Sequence, residues 1–167
     1  MPPGEERVGT VLSEVLNGKT ISLGVEATDW RDAVRKGGRL LVANGYAEER
    51  YIEAMVKTVE DMGAYILVAP GLALPHARPE DGALKPGLSL MTLKKPVLFS
   101  AERPPADIIL SFVAVDNTSH IGLLREVAAM CSEPSNLQLI RQAKTVSEIA
   151  ELIRTSGGPA RSGPTGA

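Results

Sequence analysis

The 167-residue chain has one cysteine, Cys131, and two histidines, His76 and His120. A single thiol excludes an internal disulfide framework and the cysteine-based zinc patterns, which need at least two thiolates. It also suits a reducing compartment. Aromatic residues amount to 4%, so the core has to be filled by Leu, Ile, Val and Ala. Positive charge is not in excess: 18 Lys and Arg stand against 20 Asp and Glu, a net charge of -2. Without a basic footprint, nucleic acid or an anionic bilayer is not expected as the principal partner. No window approaches about 18 unbroken apolar residues, and "MPPGEERVGT" lacks the apolar stretch of a signal peptide. The expectation is a cytoplasmic protein with no direct membrane insertion. Also missing are a G-x-S-x-G elbow, a Walker A loop and a dinucleotide-binding fingerprint, which removes the hydrolase and nucleotide-binding readings that depend on them.

What remains has the composition of an ordinary globular domain, 44% apolar and 23% charged. Interrupted basic groups such as "RDAVRKGGR" read as a solvated helix face. Both ends are rich in Gly, Pro and small polar residues, so residues 1–9 and 155–167 are expected to be flexible and residues 10–154 to form a single domain.

Within that body "KTISLGVEA" reads as an extended segment. "TDWRDAVRKGGRLLVANG" reads as a helix opened by Thr28 or Asp29 and closed near Asn44 and Gly45, with Gly37 and Gly38 as a weak point. "AEERYIEAMVKTVEDMG" spaces Tyr51, Ile52, Met55, Val56 and Val59 as one helical stripe. The period then shortens: "AYILVA", "LSLMTL", "PVLF" and "ADIILSFVAV" read as four strands, the last apolar enough to be covered on both faces. "SHIGLLREVAAMCSE", "PSNLQLIRQA" and "TVSEIAELIR" supply three more helices, with start signals at Ser119, Pro134 and Thr145. A strand, two helices, a group of strands and three helices predict an α/β fold, a mixed β-sheet sandwiched between helices.

In "APGLALPHARPED" Pro75 offers no N–H to a ladder and Leu74 is pushed toward extended geometry, so His76 is expected where a strand leaves the sheet. Gly71, Ala73 and Ala77 are too small to wall it in. A lone histidine is ordinarily a surface or capping residue, but His120 opens a helix after a strand in "VAVDNTSHIGLLREV", where α/β folds place sites and helix-start amides receive anions. Two readings of the pair stay open at this point. One is a zinc site completed by Asp116 or Glu80, although residues 76 and 120 lack a metal-site spacing. The other is a phosphohistidine relay with one nucleophilic imidazole, an amide cradle and an open docking surface. Arg78 either pairs with Glu80 or Asp81 or serves as the phosphoryl cation. Cys131 reads as a small buried hydrophobe, Trp30 as packed on the body, and "ERPPAD" as a loop between strands.

"YILVAPGLALPHARPEDGALKPGLSLMTLKKPVLF" followed by "AVDNTSHIGLLREVAAM" resembles the enzyme IIA proteins of the bacterial phosphoenolpyruvate-dependent sugar phosphotransferase system (PTS), in the mannitol/fructose-type fold family. The "APG-x-A-x-PHARPE" form with "SH" at the second site is most similar to the ascorbate-type branch. The resemblance implies a phosphotransferase whose His76 accepts a phosphoryl group from the phosphocarrier protein HPr as tele-phosphohistidine. It then passes the group to a cysteine of an enzyme IIB partner that serves a membrane permease, IIC. It implies that His120 assists by hydrogen bonding; beside it, the residues themselves offer helix-start amides at Thr118 and Ser119 and the Arg78 guanidinium to the phosphoryl group, in a transfer that calls for neither metal nor cofactor. Mannitol- and fructose-type members carry an arginine in the helix ahead of the "PH" strand, whereas "KTVEDMGAY" here holds Glu60 and Asp61. Arg78 is then the candidate substitute. A regulatory module of the same fold, not tied to a transporter, is the alternative function, and a homodimer is compatible with the sequence.

Overall fold

A computed structural model describes residues 12–116 and 121–156 of the chain. After a short helical turn at residues 12–15 come β1 (Ile21–Val25), α1 (Trp30–Ala43), α2 (Arg50–Met62), β2 (Leu67–Ala69), β3 (Leu72–Ala73), β4 (Gly87–Val97), β5 (Ala106–Val113), α3 (Ile121–Cys131), α4 (Pro134–Gln142) and α5 (Val146–Ser156). The strands form one mixed sheet in the order β1-β4-β5-β3-β2. β1 runs parallel to β4 and β3 parallel to β5, while β4–β5 and β2–β3 are antiparallel.

Alternation along the central strands creates two cores. Leu88, Leu90, Ile108, Leu110 and Phe112 face α3, α4, α5 and the first helical turn. Met91, Leu93, Ile109 and Val113 face α1 and α2. Both faces of β5 are therefore covered, as its lack of polar alternation predicts. Each such aliphatic side chain contributes about 1.5–3 kcal/mol on leaving water.

α1 begins where Asp29 accepts from the Asp32 N–H at 2.9 Å and the Asp32 carboxylate accepts from the Thr28 N–H at 2.9 Å. That second bond holds the Asp32 carboxyl below its usual range. The Gly37–Gly38 pair does not break α1. A Cβ on Gly37 would collide with the Ser111 hydroxyl, and one on Gly38 would sit 3.1 Å from Ile52, so the glycines let α1 lie close on the sheet and on α2. α5 opens as a capping box: Glu148 accepts from the Thr145 N–H at 3.0 Å and the Thr145 hydroxyl accepts from the Glu148 N–H at 3.3 Å.

Three expectations need correction. "LSLMTL" and "PVLF" are one strand, β4, because Pro96 falls where the pairing with β5 slips between Thr92 and Val97, and no ladder N–H is required there. "AYILVA" contributes only Leu67–Ala69 to the sheet. Gly63, at φ 57°, ends α2 and starts a 3₁₀ turn over Gly63–Ile66, in which Tyr65 stays exposed. α5 continues through Ser156, two residues beyond the expected end of the body. Residues 1–9, most of 155–167, and the proposed start signal at Ser119 lie outside the described residues.

Candidate functional site

His76 lies three residues beyond the end of β3, after Leu74 and Pro75, in a run whose backbone remains anchored. Leu74 N–H donates to Ile66 O at 2.9 Å, and Phe112 N–H of β5 donates to Pro75 O at 3.0 Å. Proline therefore keeps its carbonyl in the ladder while its missing N–H releases the chain on the other side. The His76 ring is half-buried, with Nδ1 2.9 Å from Leu74 O and its edge against the Phe112 ring at a centroid distance of 6.5 Å and 72°. A carbonyl oxygen only accepts, so Nδ1 carries the hydrogen. In the neutral ring the in-plane lone pair then lies on Nε2, the form of imidazole that can attack an electrophile.

The ring lines a pocket of about 340 Å³ with Leu74, Arg78, Phe112, Asp116 and Leu124. Asp116 and Leu124 stand on either side of residues 117–120 in the chain. Thr118, Ser119 and His120 themselves lie outside the described residues. Arg78 is on the pocket wall and strongly exposed, its Nε 3.7 Å from Glu80 and 3.6 Å from Asp81. Both anticipated ion pairs exist, and exposed pairs of this length are worth about 0–1 kcal/mol, so reorienting the guanidinium toward an anion costs little. Glu60 is paired with Arg31 of α1 at 3.0 Å, and Arg31 in turn lies 4.4 Å over the Trp30 ring. Trp30 packs on Phe99, in line with its expected structural role.

Two contributors were not legible in the sequence. Tyr51 of α2, fully buried, places its hydroxyl against the backbone of Ala77 and Phe112; in the sequence it is one more apolar position of a helical stripe. Phe112 looked like strand filling, yet its ring forms one side of the His76 setting. Beside the pocket, and sharing Leu74 and Leu124 with it, an apolar groove of about 630 Å³ runs between the β2–β3 hairpin and α3–α4. Cys131 lines that groove half-buried, and burial pushes its thiol up to about 11, which fits a small hydrophobe and not a reactive thiolate. Among the described residues no cluster of three or more His, Cys, Asp or Glu could hold a metal ion. Among them too, no helix is long and apolar enough to cross a membrane.

Residues 14–156 match the family model for the phosphoenolpyruvate-dependent sugar phosphotransferase system, EIIA 2. The chain is 41% identical over 138 residues to the ascorbate-specific PTS system EIIA component of Escherichia coli (strain K12), covering 81% of this chain and 89% of that protein. Its fold is similar to the solution structure of the mannitol-specific cryptic phosphotransferase enzyme IIA from Escherichia coli. That likeness has a TM-score of 0.77 and 34% identity, over 86% of this chain and 97% of the other. It is also similar to enzyme IIA of mannitol in its complex with phosphorylated enzyme IIB from Escherichia coli, with a TM-score of 0.73 and 25% identity, over 81% and 94% of the two chains.

Proposed function

The chain belongs to the EIIA 2 family of the phosphoenolpyruvate-dependent sugar phosphotransferase system, and on that premise we propose that His76 is its phosphoryl-accepting residue. The observation that carries this reading is the 2.9 Å contact of His76 Nδ1 with Leu74 O, which leaves Nε2 as the nucleophile at an open pocket. In the first step the Nε2 lone pair bonds to the phosphorus of phospho-HPr as the donor's P–N bond breaks, and the electron pair of that bond returns to the donor imidazole. The His76 ring retains its Nδ1 hydrogen, which donates to Leu74 O and offsets the charge that the ring gains. In the second step a cysteine thiolate of an enzyme IIB partner takes the phosphoryl group and Nε2 regains its lone pair. Transfer needs in-line positioning more than any other contribution.

Arg78 lies close enough along the pocket wall to turn its fork onto phosphoryl oxygens. Thr118 and Ser119 belong to the segment that enters α3 and offer amides and hydroxyls to the same oxygens, with His120 assisting by hydrogen bonding. The identity to ascorbate-specific components supports uptake of an ascorbate-like sugar acid through a IIC permease, with the protein working at the cytoplasmic face. It favours transport over the purely regulatory alternative.

The test is labelling with radioactive phosphoenolpyruvate, enzyme I and HPr. The expected product is an acid-labile, alkali-stable phosphoprotein, absent in His76→Ala and formed slowly in His120→Ala. Label in His76→Ala equal to that of the wild type overturns the assignment.

A further inference from the structure

Beyond Ala73 the parallel pairing of β3 with β5 comes apart. Leu72 and Ala73 are in register with Ile108 and Ile109, and the Phe112 N–H to Pro75 O bond is the last backbone rung. One step further the Ala77 N–H and the Phe112 carbonyl both meet the Tyr51 hydroxyl. The Ala77 N–H donates to the phenol oxygen at 3.1 Å, and the hydroxyl donates to Phe112 O at 2.9 Å, with Ala77 O further away at 3.3 Å. The phenol bridges the two segments beyond that last rung, joining the Ala77 N–H to the Phe112 carbonyl.

We infer that Tyr51 is a positioning residue for His76, its buried hydroxyl fixing the backbone of Ala77, next to the imidazole, and of Phe112, whose ring edges it. The functional part of this inference rests on the reading of His76 as the phosphoryl acceptor; the geometric part does not. Packing alone would be met by phenylalanine. Tyr51 is fully buried in the α1–α2 core, and a hydroxyl there is unfavourable unless it is bonded. Its partners belong to the two segments that hold the His76 ring. Burial pushes the phenol up to about 12, so it remains a donor at every pH at which the protein works.

Removing the hydroxyl leaves the Ala77 N–H and the Phe112 carbonyl without this partner in the interior, and the two strands lose their fixed separation. The imidazole then samples more orientations and the Nδ1 contact with Leu74 O is no longer held.

Two readouts on Tyr51→Phe test this. In ¹H–¹⁵N spectra of the imidazoles, with His76→Ala used to assign the signals, the wild-type His76 should show a fixed Nδ1–H tautomer. Tyr51→Phe should show shifts averaged between the two tautomers. In single-turnover transfer from phospho-HPr, the maximal rate per folded molecule should fall about tenfold with half-saturation unchanged, as expected for misplacement of a reacting group. Val59→Ala, a cavity variant in the same helix and core, controls for lost stability and should leave both readouts at wild-type values. A Tyr51→Phe protein with the wild-type imidazole spectrum, or a rate loss matched by Val59→Ala, overturns the inference. Should His76→Ala still take label, the acceptor assignment falls, and the imidazole spectrum alone still decides the role of Tyr51.

Discussion

Arg141 of α4 and Asp107 of β5 form a two-oxygen ion pair, Nε standing 2.8 and 3.0 Å from the carboxylate oxygens, with three quarters of each side chain buried. The same guanidinium donates to Pro70 O at 2.6 Å and to Gln138 Oε1 at 3.1 Å. One side chain thus joins α4 and the sheet to the turn that opens the segment leading to His76.

Arg141→Met should therefore be destabilising by about 2–4 kcal/mol, since it strands a partly buried carboxylate. Gly71→Ala should also be destabilising, by about 1–3 kcal/mol, because Gly71 has φ 76° and its added methyl would collide with the Arg141 guanidinium. Urea unfolding of both variants checks this; midpoints equal to the wild type would show that the clamp carries no stability.

Glu126 of α3 is 2% exposed, and burial pushes its carboxyl up to about 7, against the opposing pull of the Leu12 N–H. The folded protein thus binds this proton more tightly than the unfolded chain. The penalty is absent below the ordinary carboxylate pKa, grows as pH rises, and is complete above about 7, where it amounts to about 3 kcal/mol. Glu126→Gln should raise the melting temperature at pH 8 and bring little gain at pH 4.5. A gain independent of pH would rule out titration of Glu126 as the cause.

Arg78→Ala should slow phosphoryl uptake by about tenfold and leave stability within about 0.5 kcal/mol, because its ion pairs are long and exposed. Partner affinity measured by calorimetry should hold. Unchanged uptake would assign Arg78 to its carboxylate neighbours alone.

With its thiol pushed up to about 11 by burial, Cys131 should react with iodoacetamide at pH 7.5 far more slowly than a free thiol, and Cys131→Ala should transfer phosphoryl groups at the wild-type rate. Rapid alkylation together with a slow Cys131→Ala variant would give the thiol a role in the transfer.

Much of the architecture followed from pattern. Asp29 and Thr145 mark helix starts because their side chains accept backbone N–H groups that no other residue reaches, a local effect written in a few neighbouring letters. The apolar run of β5 announced two covered faces for a similar reason: every second residue has to meet a different layer. The Gly37–Gly38 pair misled because its cost is local and its benefit is not. Only contact with Ser111, Ile52 and Met55 explains why no side chain is wanted there.

By itself the sequence determined the layered α/β fold, the family and the segment that carries His76, because periodicity, capping and the proline at position 75 act over short stretches of chain. Tertiary structure decided that Leu74 O holds the His76 ring at Nδ1, that Arg78 shares its charge with Glu80 and Asp81, and that Tyr51 reaches the backbone beside His76. Those depend on where Leu74 O, Phe112 O and the end of α2 meet in space, and contacts between residues 26 and 61 positions apart leave no local pattern to read.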